Sequence, residues 1–182
     1  MKNKRIKLVS HGGFENSFLE RIANDIKSAF GVPVTITPFD HDIVPYFDPA
    51  RKQYDANLLL HLIHSEYAEN SLKTIGLFKV DLFIPILTYI FGQAQYNGNS
   101  GIVSVYRLKN EQYGLTGNEV LLYERLRKVI THELGHTFGL IHCHVPNCVM
   151  RPGTYVEDID QKKHFFCKKC QLELDSALNL IQ

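Results

Sequence analysis

Three histidines and one glutamate stand at the spacing that a catalytic zinc site requires. They lie in the run His132-Glu133-x-x-His136-x-x-Gly139-x-x-His142. In a helix with about 3.6 residues per turn, side chains at positions i and i+4 share one face, so His132 and His136 can bind the same ion. Gly139 can adopt the left-handed conformation that ends a helix, which brings His142 toward that ion from another direction. Three protein ligands leave a fourth position for water, as in catalytic zinc sites.

The two-histidine part of this pattern is weak evidence on its own. Histidines four residues apart also occur on ordinary polar helices, so the alternative interpretation is a pair of solvated side chains. The glycine, the third histidine and the downstream Met150 extend the match well beyond the short pattern. The extended pattern therefore favours a zinc centre, with Glu133 beside it to move a proton.

The cysteines form a second cluster, because all four lie in the order Cys143-x4-Cys148-x18-Cys167-x2-Cys170. Two short pairs separated by a loop are the usual arrangement of a tetrahedral four-cysteine zinc site. The alternative is a pair of disulfides in a secreted chain, but the basic N-terminus has no apolar run that fits a signal peptide. A reducing compartment favours metal-bound thiolates. The charge of four thiolates could be offset by the nearby Lys162, Lys163, Lys168 and Lys169.

Taken together, the extended histidine pattern, the directly following Cys-x4-Cys-x-Met and the later Cys-x2-Cys resemble the archaemetzincins, a zinc peptidase family of the metzincin clan. Segments 51–56, 81–85 and 89–94 also resemble that family. The resemblance implies a zincin-like α/β (α+β) fold, with a mixed twisted sheet, a long active-site helix and a small zinc-clamped C-terminal part. It implies two zinc ions per chain, one catalytic and one structural. The implied residues are His132, His136 and His142 for the catalytic zinc, Glu133 as general base, Met150 as the Met-turn residue, and Cys143, Cys148, Cys167 and Cys170 for the structural zinc.

Composition limits the other classes of function. The chain has 182 residues and 45% apolar content, which predicts a single domain over residues 1–182, divided at residue 138 into a sheet-and-helix part and a C-terminal part carrying the cysteine site. The net charge of +1 argues against a nucleic-acid surface. No apolar run approaches the roughly 20 residues of a membrane span. We therefore expect a cytoplasmic monomer that acts on peptides or proteins.

The remaining pattern predicts the elements that position these residues. Segments 5–9, 14–30 and 32–37 read as a βαβ unit, with Gly31 ending the helix, and residues 53–67 read as a helix with Leu58, Leu59, Leu62 and Ile63 inward. Strands are expected near residues 74–82, 88–95 and 102–108, with a turn at residues 97–101, and these strands should form a mixed sheet.

The active-site helix is expected to begin with a capping box formed by Thr116 and Glu119. It should run to about His136, with Leu122, Leu126, Val129 and Ile130 buried. Glu124 and Lys128 are expected to pair on its outer face. Asp81 and Asp160 are candidates to orient the histidines, and Tyr155 is a candidate to stabilise an oxyanion.

Two functional hypotheses follow. The first is a zinc peptidase in which Glu133 acts as base and then as acid, with the strand near residues 91–95 pairing with an extended substrate. The second is a non-catalytic, zinc-stabilised binding or scaffold protein of the same fold. Glu133 discriminates between them, because a protein without turnover has no need of a carboxylate there. Endopeptidase and aminopeptidase activity stay open, as does the catalytic metal, because three imidazoles accept several divalent ions.

Overall fold

The computed structural model describes residues 4–180, and over this range the chain forms nine strands and five α-helices. The first three residues of the basic N-terminus lie outside it. In chain order the elements are β1 (Ile6–Ser10), α1 (Asn16–Phe30), β2 (Val34–Pro38), β3 (Phe47–Asp48), β4 (Gln53–Asp55), α2 (Ala56–Tyr67), β5 (Lys73–Phe78), β6 (Leu82–Ile84), β7 (Leu87–Ile90), β8 (Gly92–Ala94), β9 (Ser100–Ser104), α3 (Glu119–Thr137), α4 (Val156–Gln161) and α5 (Lys168–Asn179).

The main sheet is mixed, as the sequence predicts. Its strand order is β2-β1-β5-β9-β8, in which the first four strands are parallel and β8 runs antiparallel to β9 at the edge. The predicted βαβ opening is confirmed, and Gly31 ends α1 with a φ of +65°. A second sheet, in the order β3-β4-β6-β7, was not predicted. Its strands have two to four residues, which is too short to show an alternating pattern.

The helix expected at residue 53 begins at Ala56 instead, because Asp55 caps it. The carboxylate of Asp55 accepts hydrogen bonds from the backbone N–H groups of Asn57 (2.8 Å) and Leu58 (3.3 Å). The resulting orientation buries Leu59 and Ile63 completely. Leu58 was expected to face inward and is 48% exposed, so that prediction was wrong.

Helix α3 begins differently from the prediction. Asn118, not Thr116, is the capping residue, and its side-chain oxygen accepts from the backbone N–H of Leu121 at 3.0 Å. Threonine and asparagine both cap helices well, so sequence alone could not choose between positions two residues apart. The expected buried stripe is confirmed, since Leu122, Leu126, Val129 and Ile130 are all buried.

The predicted Glu124–Lys128 pair on α3 is also absent. Glu124 pairs with Arg127 at 2.7 Å, while Lys128 is buried and its ammonium donates to the backbone carbonyl of Ile159 at 3.0 Å. The reason is that α4 covers this side of α3, so a face that looks solvated in sequence lies inside the fold. The second half of α3, which carries the histidines, is therefore buried on nearly all sides.

One hydrophobic cluster connects the two parts of the chain. Leu126 and Leu134 of α3 belong to the same cluster as Val149, Met150 and Leu174 of the C-terminal part. This shared core fixes the C-terminal part against the helix that carries the histidines. Across residues 4–180, no helix combines the length and the apolar character needed to cross a membrane.

Candidate active site

The first two histidines of the pattern face each other on the last turns of α3. Their Nε2 atoms are 3.1 Å apart. The Nδ1 of His132 lies 2.8 Å from the carbonyl oxygen of Val149, and the Nδ1 of His136 lies 2.8 Å from that of Leu140. Because a carbonyl only accepts, each ring must donate from Nδ1, which leaves the lone pair on Nε2. Two lone pairs directed at each other at this distance repel, and a metal cation held between them would satisfy both.

The third histidine reaches the same place through the turn after α3. Gly139 has a φ of +89°, a conformation that side-chain-bearing residues rarely adopt. The turn carries His142 back until its ring centroid lies 5.3 Å from that of His132 and 4.9 Å from that of His136. One ring nitrogen from each of the three residues then lies within 4.8 Å of the others. Zinc–nitrogen bonds of about 2.0–2.1 Å fit such a group.

The protonation of the three rings also fits a metal. Burial lowers the pKa of His132 well below its ordinary value, and burial lowers the pKa of His136 and His142 as well. The rings are therefore neutral near pH 7, as metal ligation requires. His132 is buried while His142 is exposed, so the group opens toward solvent on one side. That opening lies in a cavity of about 530 Å³.

Glu133 lines the same cavity as the three histidines. Its side chain is buried, and burial raises the pKa of its carboxyl to about 8, although the positive charge of Lys162 acts in the opposite direction. Residues 87–94, which include β7 and β8, also line the cavity. A buried carboxylate facing an open cavity costs stability, so its position indicates a chemical role rather than a structural one.

A glycine in β8 makes room for this carboxylate. A Cβ added at Gly92 would lie 2.8 Å from the Cγ of Glu133 and 2.8 Å from the carbonyl oxygen of Ile102 in β9. The second neighbour is backbone in a paired strand and cannot move away easily. Gly92 therefore lets the edge strand and the glutamate approach each other closely.

We expect Gly92→Ala to destabilise the protein by about 1–3 kcal/mol, because the added methyl overpacks this contact. Urea denaturation measures the change. In a Glu133→Ala background the contact with the glutamate side chain is absent. Gly92→Ala should therefore lower the free energy of unfolding by clearly less than it does in the wild type. Equal costs in both backgrounds would show that Glu133 does not constrain this strand.

Met150 lies beneath α3 between its two histidine turns. Its side chain is fully buried, and a Cβ added at Gly135 would come within 2.5 Å of its sulfur. Its backbone carbonyl accepts from the N–H of Cys143 at 3.0 Å. Met150 thus packs against the helix at the histidines and joins the two chain segments that follow them.

The four cysteines converge in a second group. All four sulfur atoms lie within 4.8 Å of one another, and the Cys143 and Cys167 sulfurs are 3.8 Å apart. Within the described chain each cysteine is free of disulfides. A tetrahedron with zinc–sulfur bonds of about 2.3 Å has an edge of about 3.8 Å, so this spacing fits a zinc ion. Burial raises the pKa of Cys148 and Cys170, so a nearby cation is needed to hold them as thiolates.

The two groups share backbone. Cys143 directly follows His142 in the chain. Val149 stands between Cys148 and Met150, and its carbonyl is the acceptor for the Nδ1 of His132. Ordering the four cysteines therefore also orders the Val149 carbonyl, which sets the tautomer of the His132 ring.

The two aspartates proposed to orient the histidines lie elsewhere. Asp81 pairs with Arg107, whose Nε is 2.8 Å away, and Asp160 pairs with Arg125 at 2.7 Å. Backbone carbonyls orient His132 and His136 instead, which no residue pattern could reveal. Tyr155 lies at the cavity rim and is 64% exposed.

Segments 51–56 and 81–85 lie upstream of α3 and resemble the family in sequence. They are in contact with each other beside the cavity. The amide nitrogen of Gln53 donates to the carboxylate of Asp81 at 3.1 Å and to the carbonyl of Thr88 at 3.0 Å. Arg51 donates to the carbonyl of Leu87 at 2.7 Å. These bonds hold β7, which forms part of the cavity wall.

Lys162 has a position that the sequence did not indicate. It was expected to offset charge at the cysteine group, and the charge of Cys148 does act on it. Its ammonium also lies 3.4 Å from the Nδ1 of His132, and the residue lines the histidine cavity. Burial lowers the pKa of Lys162 to about 8. The only sequence signal was its position between the two cysteine pairs, which does not indicate where the side chain points.

Comparison with known proteins matches most of the chain to one family. The sequence model of Peptidase family M54 matches residues 16–176. An archaemetzincin from Saccharolobus islandicus (strain L.S.2.15) is 33% identical over 184 aligned positions, which cover 100% of this chain and 99% of that protein.

Solved structures agree as well. The crystal structure of an archaemetzincin from Methanopyrus kandleri has a TM-score of 0.84 and 32% identity, covering 98% of this chain and 97% of the other. That of an archaemetzincin from Archaeoglobus fulgidus, complexed with malonate, has a TM-score of 0.78 and 28% identity, covering 93% and 99%. The similarity thus extends over sequence and fold together, and this chain belongs to peptidase family M54, the archaemetzincins, as a zinc metallopeptidase.

Proposed function

We propose that this protein hydrolyses peptide bonds in the cavity, with His132, His136 and His142 holding the catalytic zinc and Glu133 transferring protons. The observation that carries the proposal is the convergence of three neutral imidazoles on one point, next to a buried carboxylate in an open cavity. A zinc ion held by these residues would supply Lewis acidity, lowering the pKa of water toward about 7 and polarising a carbonyl.

Glu133 acts twice in the proposed reaction. Its carboxylate accepts a proton from water as the new carbon–oxygen bond forms at the scissile carbonyl. The same oxygen then gives that proton to the amine nitrogen as the carbon–nitrogen bond breaks, so that the residue returns to its starting state. Its burial supports this role, because a carboxyl whose pKa is raised toward neutrality both accepts and releases a proton readily near pH 7.

Edge strand β8 is the proposed docking element for an extended substrate. The carbonyl of Phe91 accepts from Ser104, and the N–H of Gln95 donates to Ser100, so these residues bond inward to β9. By the alternation of an antiparallel pair, the backbone groups of Gly92 and Ala94 face the open edge of the sheet. A peptide strand adding there gains backbone hydrogen bonds without a sequence requirement.

The four cysteines are proposed to hold a second, structural zinc ion, which makes two per chain. A site with four protein ligands has no position for water or substrate, so it contributes to folding rather than to hydrolysis. Met150 serves as an apolar floor, because its buried thioether packs against the helix at Gly135.

The test combines metal analysis with peptide cleavage. Protein purified without added metal is analysed by native mass spectrometry, where we expect two zinc ions per chain. The same protein is incubated with a mixed peptide library, and new peptide ends are read by mass spectrometry. Cleavage should stop after chelation and return with zinc. Zinc-loaded protein that produces no new ends would contradict the proposal and favour a binding or scaffold function.

A further inference from the structure

Lys162 is a buried cation in the cavity that the proposed reaction does not use. The residue is 3% exposed and lines the same cavity as Glu133 and the three histidines. It follows α4, and its ammonium donates to the backbone carbonyl of Arg151 at 2.7 Å. Burying an ammonium is costly unless the group is paired, so its retention here calls for a partner.

The ammonium has unused hydrogen-bond donors. A lysine ammonium carries three N–H groups, and the Arg151 carbonyl takes one of them. Its other polar contact, the Nδ1 of His132 at 3.4 Å, already donates to Val149 and cannot accept. Between residues 4 and 180, no carboxylate forms an ion pair with Lys162. The charge of Glu133 favours the ammonium, but it acts without a hydrogen bond to it. Two N–H groups of a buried cation therefore lack a protein acceptor.

The charges around the cavity indicate which kind of group would pair with the Lys162 ammonium. Glu133 is the one acidic residue of the cavity lining within the described part of the chain, and Lys162 is the one lysine or arginine there. A divalent ion held by neutral histidines adds two positive charges. The cavity would then carry a positive excess, which favours an anionic group on whatever enters it.

We propose that the Lys162 ammonium forms a subsite for a carboxylate near the scissile bond of the substrate. The carboxylate is either the free α-carboxylate of a short peptide or the side chain of an aspartate or glutamate. The inference rests on the proposed function, since it names the substrate chemistry of the same cavity. Lysine binds such a group as a point charge with several donors, which tolerates either source.

A buried lysine in this region can also be purely structural, and the chain contains such a case for comparison. Lys128 is buried, and its ammonium donates to the carbonyls of Ile159 at 3.0 Å and Asp160 at 3.4 Å. It is not part of the cavity lining. Lys128 therefore provides a matched control for the loss of a buried ammonium beside α4.

The test measures binding by calorimetry and needs no turnover. The probes are N-acetyl-phenylalanine and its C-terminal amide for the α-carboxylate, and the N-methylamides of N-acetyl-aspartate and N-acetyl-asparagine for the side chain. Each pair gives an acid-to-amide affinity ratio at pH 6.5 on zinc-loaded protein. We expect a ratio well above one for at least one pair in the wild type. Lys162→Met should lower that ratio by about tenfold or more, the loss expected for one charge-assisted hydrogen bond.

The controls separate recognition from folding. Lys128→Met should keep the wild-type ratio, Lys162→Arg should restore most of it, and Lys162→Gln repeats the test if Lys162→Met fails to fold. Zinc content is measured for every variant. Three results would each overturn the subsite. The acid-to-amide affinity ratio could stay unchanged without Lys162, the affinities for acid and amide could fall equally, or the wild type could bind no acid probe. Wild-type protein that binds acids through Lys162 but cleaves no peptide would contradict the catalytic proposal alone.

Discussion

Glu133→Gln is expected to lower kcat/KM for peptide hydrolysis by about 10²- to 10⁴-fold, the usual contribution of a general acid–base. The amide keeps the size of the side chain and fills the same space beside Gly92. It cannot accept a proton from water or return one to the leaving amine. The loss should therefore appear in kcat, while zinc content stays at the wild-type level because the three histidines are unchanged.

The same variant should keep or gain thermal stability in the metal-free protein. Burial raises the pKa of Glu133 to about 8, which means that the folded protein disfavours the ionised carboxylate. A neutral amide avoids that cost, as is common where a residue serves activity at the expense of stability. A gain in melting temperature together with a loss of turnover would be the combined signature of a catalytic carboxylate.

The matched control is Glu119→Gln, the same chemical change in the exposed first turn of α3. It should leave kcat/KM within about twofold, because a single charge at a helix start contributes only about 0.3–1 kcal/mol to stability. Both variants are compared with the wild type on the same peptide library. Identical cleavage by wild type and Glu133→Gln would show that the glutamate is not the proton carrier, or that a contaminant made the cuts.

The sequence could predict which histidines and cysteines come together, because their spacing is encoded locally. His132 and His136 share a helix face by spacing alone, and Gly139 is the residue type that the observed left-handed φ of +89° requires. The cysteine pairs follow the same logic, since each pair spans one edge of a tetrahedron. Short-range geometry of this kind is fixed by a few consecutive residues.

The parts that sequence could not predict depend on segments distant in the chain. The carbonyl of Val149 orients His132 from 17 residues away. Gly92 meets Glu133 only because β8 lies beside α3. The sequence predicted a solvated side chain for Lys128, but α4 covers it. These contacts follow from how whole elements pack, and a side chain's type carries no information about which element will cover it.

Cys167→Ser is expected to remove one of two zinc ions and to lower the melting temperature by about 10 °C or more. Binding of a structural zinc contributes folding free energy directly, because the unfolded chain has no preformed site. In a domain of this size, each kcal/mol corresponds to roughly 2–4 °C. Serine is a poorer zinc ligand than a thiolate, and the Cys167 thiol is already predisposed to ionise, since a backbone hydrogen bond at Cys170 lowers its pKa to about 7.

The control for this variant is Lys169→Ala, which removes an exposed neighbour whose closest acidic partner, Glu173, is 3.9 Å away. A surface pair of this kind contributes about 0–1 kcal/mol, so the zinc content and melting temperature should hardly change. Native mass spectrometry gives the zinc content, and circular dichroism gives the melting temperature. Two zinc ions and an unchanged melting temperature in Cys167→Ser would contradict the structural site.

The same substitution should also weaken the catalytic centre, although Cys167 touches no histidine of it. The path runs through the cysteine group: without the Cys167 sulfur, Cys148 is no longer held in a four-sulfur site, and the carbonyl of the next residue, Val149, holds the Nδ1 of His132. Loss of such an orienting group typically costs about 10- to 100-fold in metal affinity. We therefore expect a lower zinc affinity at the histidines in Cys167→Ser, measured by competition with a chelator below the melting temperature. Unchanged affinity there would show that the two centres are energetically independent despite their shared backbone.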